Sequence, residues 1–301
     1  MTTVYLHIGT HKTGTSAIQK LLLNNREQLL SKGLFLPLSK GSHHKLIQKN
    51  DNDKDYGLNA EKWEALLQEI RSQESNNIVI SSEDFFRLDS GLIPKLKDYL
   101  SNYETKIIVY LRRQDNYLIS LYCQAVKTAH HWDSLNQHIL DNKYYADYYQ
   151  RLEPWKQAFG KENLIVRVYE KDQLSNGLFN DFLKSIHINS DGLDLKKAQS
   201  INISPTLRTI KVIRFLSGIA IGQMSISKKK MTGLYYTYLI PDTNLSRLIA
   251  SLPNFLLSNE LMTTQERIDL LKEFEESNRK VAQEYLGRPD GQLFYSTPIV
   301  G

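Results

Sequence analysis

Gly9 and Gly14 are separated by four residues, with Lys12 and Thr13 between them and Thr15 and Ser16 directly after. Glycines at this spacing free backbone N–H groups at a helix start to wrap an oxyanion. The spacing is that of the triphosphate loop G-x-x-x-x-G-K-[ST], except that Thr15 holds the place of the lysine. A nucleoside triphosphate needs a cation between its β- and γ-phosphates. Lys12, inside the loop, would address a different atom of a different anion. Phosphate or sulfate binding is the expectation. A P-loop-type kinase or NTPase, and a non-catalytic nucleotide or polyanion binder, are the alternatives.

Groups able to move a proton stand elsewhere. Glu83 follows the apolar run Ile78–Ile80, at the carboxyl edge of an expected strand. His43 and His44 lie in a Gly-Ser-His-His-Lys loop. Histidine titrates near neutrality, and a glutamate does so if burial raises its pKa. Glu83 and His44 are the expected acid–base set, with His43 on the acceptor side; which of the three is the base stays open. His7 and His11 are four residues apart but on a strand and a loop. They share no helical face, no carboxylate cluster completes a site, and no metal is expected.

Positioning these groups requires a particular order of elements. Val4–Ile8 reads as a strand, residues 9–14 as a tight polar loop and Thr15–Leu30 as a helix. Ile78–Ile80, Lys106–Leu111 and Leu164–Val168 read as further strands. Helices are expected over about 62–71, 93–101, 115–127 with Asp115 as N-cap, and 144–159. Strand alternating with helix predicts an α/β fold: a three-layer sandwich around a central parallel sheet, with a P-loop-like anion-binding loop. Beyond Gly192 the pattern turns mostly helical, with helices near 206–219 and 264–286 and a basic, Tyr-rich segment (Lys228, Lys229, Lys230, Tyr235, Tyr236, Tyr238). A single domain over 1–301 is expected, with 205–260 as a substrate-facing helical excursion.

His11-Lys12-Thr13-Gly14-Thr15-Ser16 with Gln19 resembles the 5′-phosphosulfate loop of sulfotransferases that use 3′-phosphoadenosine 5′-phosphosulfate (PAPS), where the family reads K-x-G-T-[ST]. A second family motif, an arginine at a strand end with a serine eight residues on and a tyrosine two further, resembles Arg112, Ser120 and Tyr122. More loosely, Glu275–Leu286 and Tyr169–Leu183 look like the corresponding regions of bacterial carbohydrate-type members. Gln114 and Tyr117 stand where many members carry Pro and a second Arg, and the Gly-rich adenine-side motif is not recognisable. Both departures favour the bacterial carbohydrate-type branch.

The resemblance implies sulfuryl transfer from PAPS to a hydroxyl or amine of a carbohydrate or glycolipid, leaving adenosine 3′,5′-bisphosphate. It implies Lys12 at the bridging oxygen, Thr13, Gly14, Thr15 and Ser16 around the 5′-phosphate, and Arg112 with Ser120 at the 3′-phosphate. Gln124 and Lys127, further along the same helix, are expected toward the acceptor. Strand alternation turns Arg113 away from Arg112, and the family spacing selects Arg112.

Composition bounds the rest. The chain has 301 residues, one cysteine (Cys123), and 38 Lys and Arg against 33 Asp and Glu, a net charge of +5. One cysteine excludes an intrachain disulfide framework or multi-Cys zinc site. The modest basic excess suits anionic ligands, and no nucleic-acid partner is expected. No apolar run reaches the roughly 18 residues of a spanning helix. With no basic n-region before the first strand, a cytoplasmic protein is expected, compatible with peripheral membrane contact.

Overall fold

The computed structural model describes residues 2–37, 43–49, 56–128, 131–195, 205–224, 227, 230, 233, 235–239, 243–254 and 257–298. Two compact units divide the chain. The first comprises Met1–Arg113, Asp147–Ser200 and Glu275–Ser296; the second comprises Gln114–Ala146, Ile201–Phe274 and Thr297–Gly301. The whole of the expected excursion over 205–260 falls in the second unit.

The first unit is built on five parallel strands: β1 (Thr3–His7), β2 (Leu34–Phe35), β5 (Asn77–Ser81), β6 (Glu104–Leu111) and β7 (Leu164–Val168). A separate antiparallel hairpin pairs β3 (Ile47–Lys49) with β4 (Tyr56–Leu58). The sheet order is β2-β5-β1-β6-β7, so β1 is central, with Thr3 opposite Asn77 on one side and Glu104 on the other. Side chains alternate along each strand. Val4 and Leu6 join a core with Trp63, Leu66 and Trp155, while Tyr5 joins Ile18, Leu22 and Phe182 on the opposite face. Both faces are therefore covered, as a parallel sheet requires. Helices α1 (Thr15–Asn24) and α8 (Leu178–Ser185) cover the second face. Helices α3 (Ala60–Arg71), α4 (Ile93–Tyr99), α7 (Tyr148–Phe159) and α12 (Glu275–Leu286) serve the first.

One expected helix is broken in two. The Thr15–Leu30 helix stops at Asn25 and resumes as α2 (Arg26–Ser31). Asn25 is buried, and its side-chain amide donates to Leu21 O at 2.9 Å while its oxygen accepts from Asp194 N–H at 2.7 Å. A side chain that satisfies backbone groups in this way competes with the helix ladder.

The second unit is helical: α5 (Gln114–Lys127), α6 (Leu135–Asn142), α9 (Leu207–Ser217), α10 (Asn244–Ser251) and α11 (Thr264–Lys272). Its core includes Tyr117, Leu118, Tyr122, Ile210, Ile213, Ile249 and Leu270. Asp115, expected as an N-cap, is instead buried inside α5 and accepts from Arg267 of α11 at 2.7 Å. The expected helix over 264–286 divides into α11 and α12. Lys228, Lys229 and the side chains of Tyr235 and Tyr236 lie outside the described residues. Among the described residues, no helix is long and apolar enough to cross a membrane.

Candidate functional site

The chain leaves β1 still tied to the sheet, because Ile8 N–H donates to Ile108 O at 2.9 Å. It then takes three left-handed residues: Gly9 at φ 49°, Lys12 at φ 70° and Gly14 at φ 83°. A Cβ on Gly9 would lie 2.8 Å from Thr15 Oγ1, and one on Gly14 would lie 2.3 Å from Leu178 Cδ2. Both glycines are thus fixed by close approach as well as by φ. Lys12 adopts the same region with a side chain, at a cost of about 1–2 kcal/mol. Strain of that size persists only where the surroundings over-determine the backbone. Thr10 Oγ1 donates to Tyr110 O at 2.8 Å and Thr13 Oγ1 donates to Thr10 O at 2.7 Å. Two buried hydroxyls therefore pin the loop, and the Thr13 side chain is used within it, leaving its backbone N–H as the group expected on the phosphate.

Thr15 differs from both. It is buried, yet its hydroxyl has no hydrogen-bond partner among the described residues. Gly14 caps α1 with no side-chain bond, and the first turn contains no acidic residue. In the same unit Asn59 caps α3 and Asp147 caps α7. Among the described residues, the start of α1 therefore combines N–H groups without a side-chain cap, an exposed Ser16 and an unsatisfied buried hydroxyl. These groups fit a bound phosphate, whose oxygens would accept from all of them.

Arg112 follows β6 and donates to Lys12 O at 2.9 Å, joining the two expected motifs of the first unit. Arg113 turns elsewhere: it is buried and donates to Ser296 O and Oγ, each at 2.8 Å. Glu170, after β7, accepts from Tyr295 N–H at 2.8 Å and from the Ser296 hydroxyl. A strap over 293–296 thus crosses the carboxyl edge of the sheet, an arrangement that the sequence reading missed.

Beside the loop, β5 ends in a 3-10 turn over Glu83–Arg87, whose N-cap Ser82 accepts from Asp84 N–H at 3.3 Å. The Glu83 Cα would lie 3.4 Å from a Cβ on Gly9, so this acid adjoins the loop backbone. His11 Nε2 lies 4.0 Å from Glu83 Oε1 and 3.9 Å from Asp84 Oδ1. Burial raises the Glu83 pKa, Asp84 raises it further, and Lys12 partly offsets both. A carboxyl raised in this way is a stronger base than an exposed glutamate.

The two loop histidines separate. His44 is exposed at the start of a 3-10 turn. His43, expected on the acceptor side, is fully buried. Its Nδ1 accepts from Ser81 N–H at 3.0 Å and its Nε2 donates to Pro37 O at 3.1 Å. Neither ring nitrogen is left for a substrate, and burial drives its pKa down to about 4. His43 is a strut for the end of β5, and this corrects its expected role. Gln19 bonds Ser81 O at 3.1 Å, and His7 Nδ1 meets Ser81 Oγ at 2.8 Å. Three side chains thereby fix the strand end that carries Glu83.

Lys12, Thr15, Arg112 and Glu83 therefore converge within the first unit. Ser120, Gln124 and Lys127 lie on α5 in the second unit, spaced along one face of that helix. The sequence offered His11 only as a rejected metal ligand and as the first residue of the loop motif, and it did not single out Asp84. The signal that could have found them was their place directly after two adjacent parallel strands. Among the described residues no group of three or more His, Cys, Asp or Glu could hold a metal ion.

No family profile matches the chain. It is 31% identical over 215 residues to an uncharacterized protein of Archaeoglobus fulgidus, a match covering 70% of this chain and 54% of that protein. The chain thus spans about half the length of this curated relative. Among solved structures it is similar to a sulfotransferase from Alicyclobacillus acidocaldarius, at 14% identity and a TM-score of 0.47, covering 75% of this chain and 97% of the other.

Proposed function

We propose that the chain is a sulfotransferase that moves a sulfuryl group from PAPS to a hydroxyl or amine of a carbohydrate or glycolipid. The observation that carries this reading is the start of α1, where the unpartnered buried Thr15 hydroxyl adjoins a loop with Lys12 in place of the triphosphate lysine. The donor supplies an activated sulfur–oxygen bond whose leaving group is a phosphate. In this reading the acceptor oxygen forms a bond to sulfur as the sulfur–oxygen bond to the 5′-phosphate breaks. Glu83 takes the acceptor's proton, and Lys12 stabilises the charge that grows on the departing oxygen. The N–H groups of residues 13–16 and the hydroxyls of Thr15 and Ser16 hold the 5′-phosphate. Arg112, oriented by the Lys12 carbonyl, meets the 3′-phosphate.

The test is transfer of radiolabelled sulfate from PAPS onto a panel of glycans and glycolipids, run beside calorimetry with adenosine 3′,5′-bisphosphate and with ATP–magnesium. Labelled product and selective binding of the bisphosphate are expected. Binding of ATP–magnesium with none of the bisphosphate would instead make the loop a triphosphate site and overturn the reading.

A further inference from the structure

Charge is unevenly distributed along this chain. Residues 205–259 contain seven Lys and Arg against a single acid, Asp242. The remaining residues contain 31 Lys and Arg against 32 Asp and Glu, so this stretch holds the entire basic excess. Exposed apolar side chains concentrate in the same place. Of the eleven large hydrophobic residues exposed among the described residues, six fall here: Phe215, Leu216, Met224, Tyr238, Leu245 and Leu248.

The helices that carry them are folded and held. Helix α9 buries Ile210 and Ile213 in the core of the second unit and leaves Phe215, 65% exposed, and Leu216 in solvent. Helix α10 buries Ile249 and turns out Leu248, 62% exposed, and Leu245, with Arg247 between them. The two helices pack against each other. From α9, Arg208 donates to Leu257 O at 2.9 Å and Asn254 Oδ1 at 2.6 Å, and Lys211 donates to Ser258 O at 2.9 Å. Arg208 also donates to Ala250 O within α10, so these bonds brace α9 against α10 and the segment that follows it.

We propose that this platform is a docking surface for an anionic lipid bilayer. The exposed aliphatic and aromatic side chains enter the boundary between headgroups and acyl chains, and the exposed Arg247 among them meets the negative surface. The combination selects this partner over others. Nucleic acid would attract the cations but offers little to Leu245, Leu248 and Met224. A second copy would accept the apolar side chains but would bring six like net charges against six. The binding assay needs no turnover and is therefore independent of the reaction proposed above.

The full chain is mixed with sucrose-loaded vesicles of phosphatidylcholine alone, or with about one-third phosphatidylglycerol, and sedimented at low and high salt. Binding to the anionic vesicles, weakened by salt, is expected, with little on neutral ones. The double variant Phe215→Ser, Leu248→Ser is expected to bind at least about tenfold more weakly, because each exposed side chain loses its transfer into the acyl region. Its fold is checked by circular dichroism, and Arg247→Glu provides an independent variant with an expected loss of about fivefold or more. Three outcomes overturn the proposal: no sedimentation with anionic vesicles at low salt; binding to single-stranded RNA but not vesicles, indifferent to the double variant; or a dimer that the double variant dissolves while vesicles stay unbound.

Discussion

Thr15→Val separates the cost of an unused hydroxyl from its use. The side chain is 2% exposed and its oxygen has no partner among the described residues. Burying a hydroxyl without a hydrogen bond costs about 1–3 kcal/mol. Valine keeps the β-branch and removes the hydroxyl. Without ligand, the variant should gain about 1–2 kcal/mol, a rise of about 2–8 °C in Tm for a unit of this size. With adenosine 3′,5′-bisphosphate the sign reverses. A hydroxyl donating to a charged phosphate contributes about 1.5–3 kcal/mol, so affinity should fall about 10- to 100-fold. Thermal unfolding with and without the bisphosphate, together with calorimetry, measures both effects on one pair of proteins. A variant less stable than the parent in the absence of ligand would refute the reasoning, as would an unchanged affinity for the bisphosphate.

Lys12→Ala should lower transfer by about 10²–10³-fold, the usual loss on removing one group that stabilises developing charge, with thermal stability little changed; near-normal turnover would end its assigned role. Arg112→Ala should weaken binding of adenosine 3′,5′-bisphosphate by about 10- to 100-fold and affect the 3′-dephospho analogue far less, as titration of both ligands will show. Glu83→Gln should remove the limb of the pH–rate profile that rises as Glu83 loses its proton, a limb displaced above the ordinary glutamate range. His43 has a folded pKa of about 4 against 6.5 when unfolded, so the unfolded chain binds more protons between these values. Stability should therefore fall by up to about 3 kcal/mol as pH drops through that window, and urea titrations of His43→Gln should show a flatter dependence there.

Much of the first unit was legible because its signals are local. The apolar runs at Val4–Ile8, Ile78–Ile80, Lys106–Leu111 and Leu164–Val168 are all strands of the sheet, and the glycine spacing located the loop between β1 and α1. Short elements escaped: β2 has two residues and each hairpin strand three, too few for a period to register. Long-range pairing also escaped. Nothing near Asn25 announces Asp194, and nothing near Asp115 announces Arg267, so the break in one helix and the burial of an expected cap were unreadable. At the site, residue type and spacing singled out Lys12 and Glu83 as candidates, and the fold places them beside each other at the loop after β1. Type and spacing could not distinguish His43 from His44, because adjacent identical side chains differ only in which one the folded chain buries.

The place of β1 in the sheet order has a bearing on biogenesis. Within this sheet the strand that comes first in the chain is also the middle one, and both of its partners, β5 and β6, follow some 70 to 110 residues later. Until then its apolar residues have no sheet to join, and the anion loop that follows it has no Tyr110 carbonyl to anchor Thr10. A nascent chain must therefore hold an unpaired hydrophobic strand until the residues of β5 and β6 have been made, the circumstance in which holding chaperones act. Formation of the loop would thus wait for β6, and an anion that binds there should speed only the folding steps that follow it.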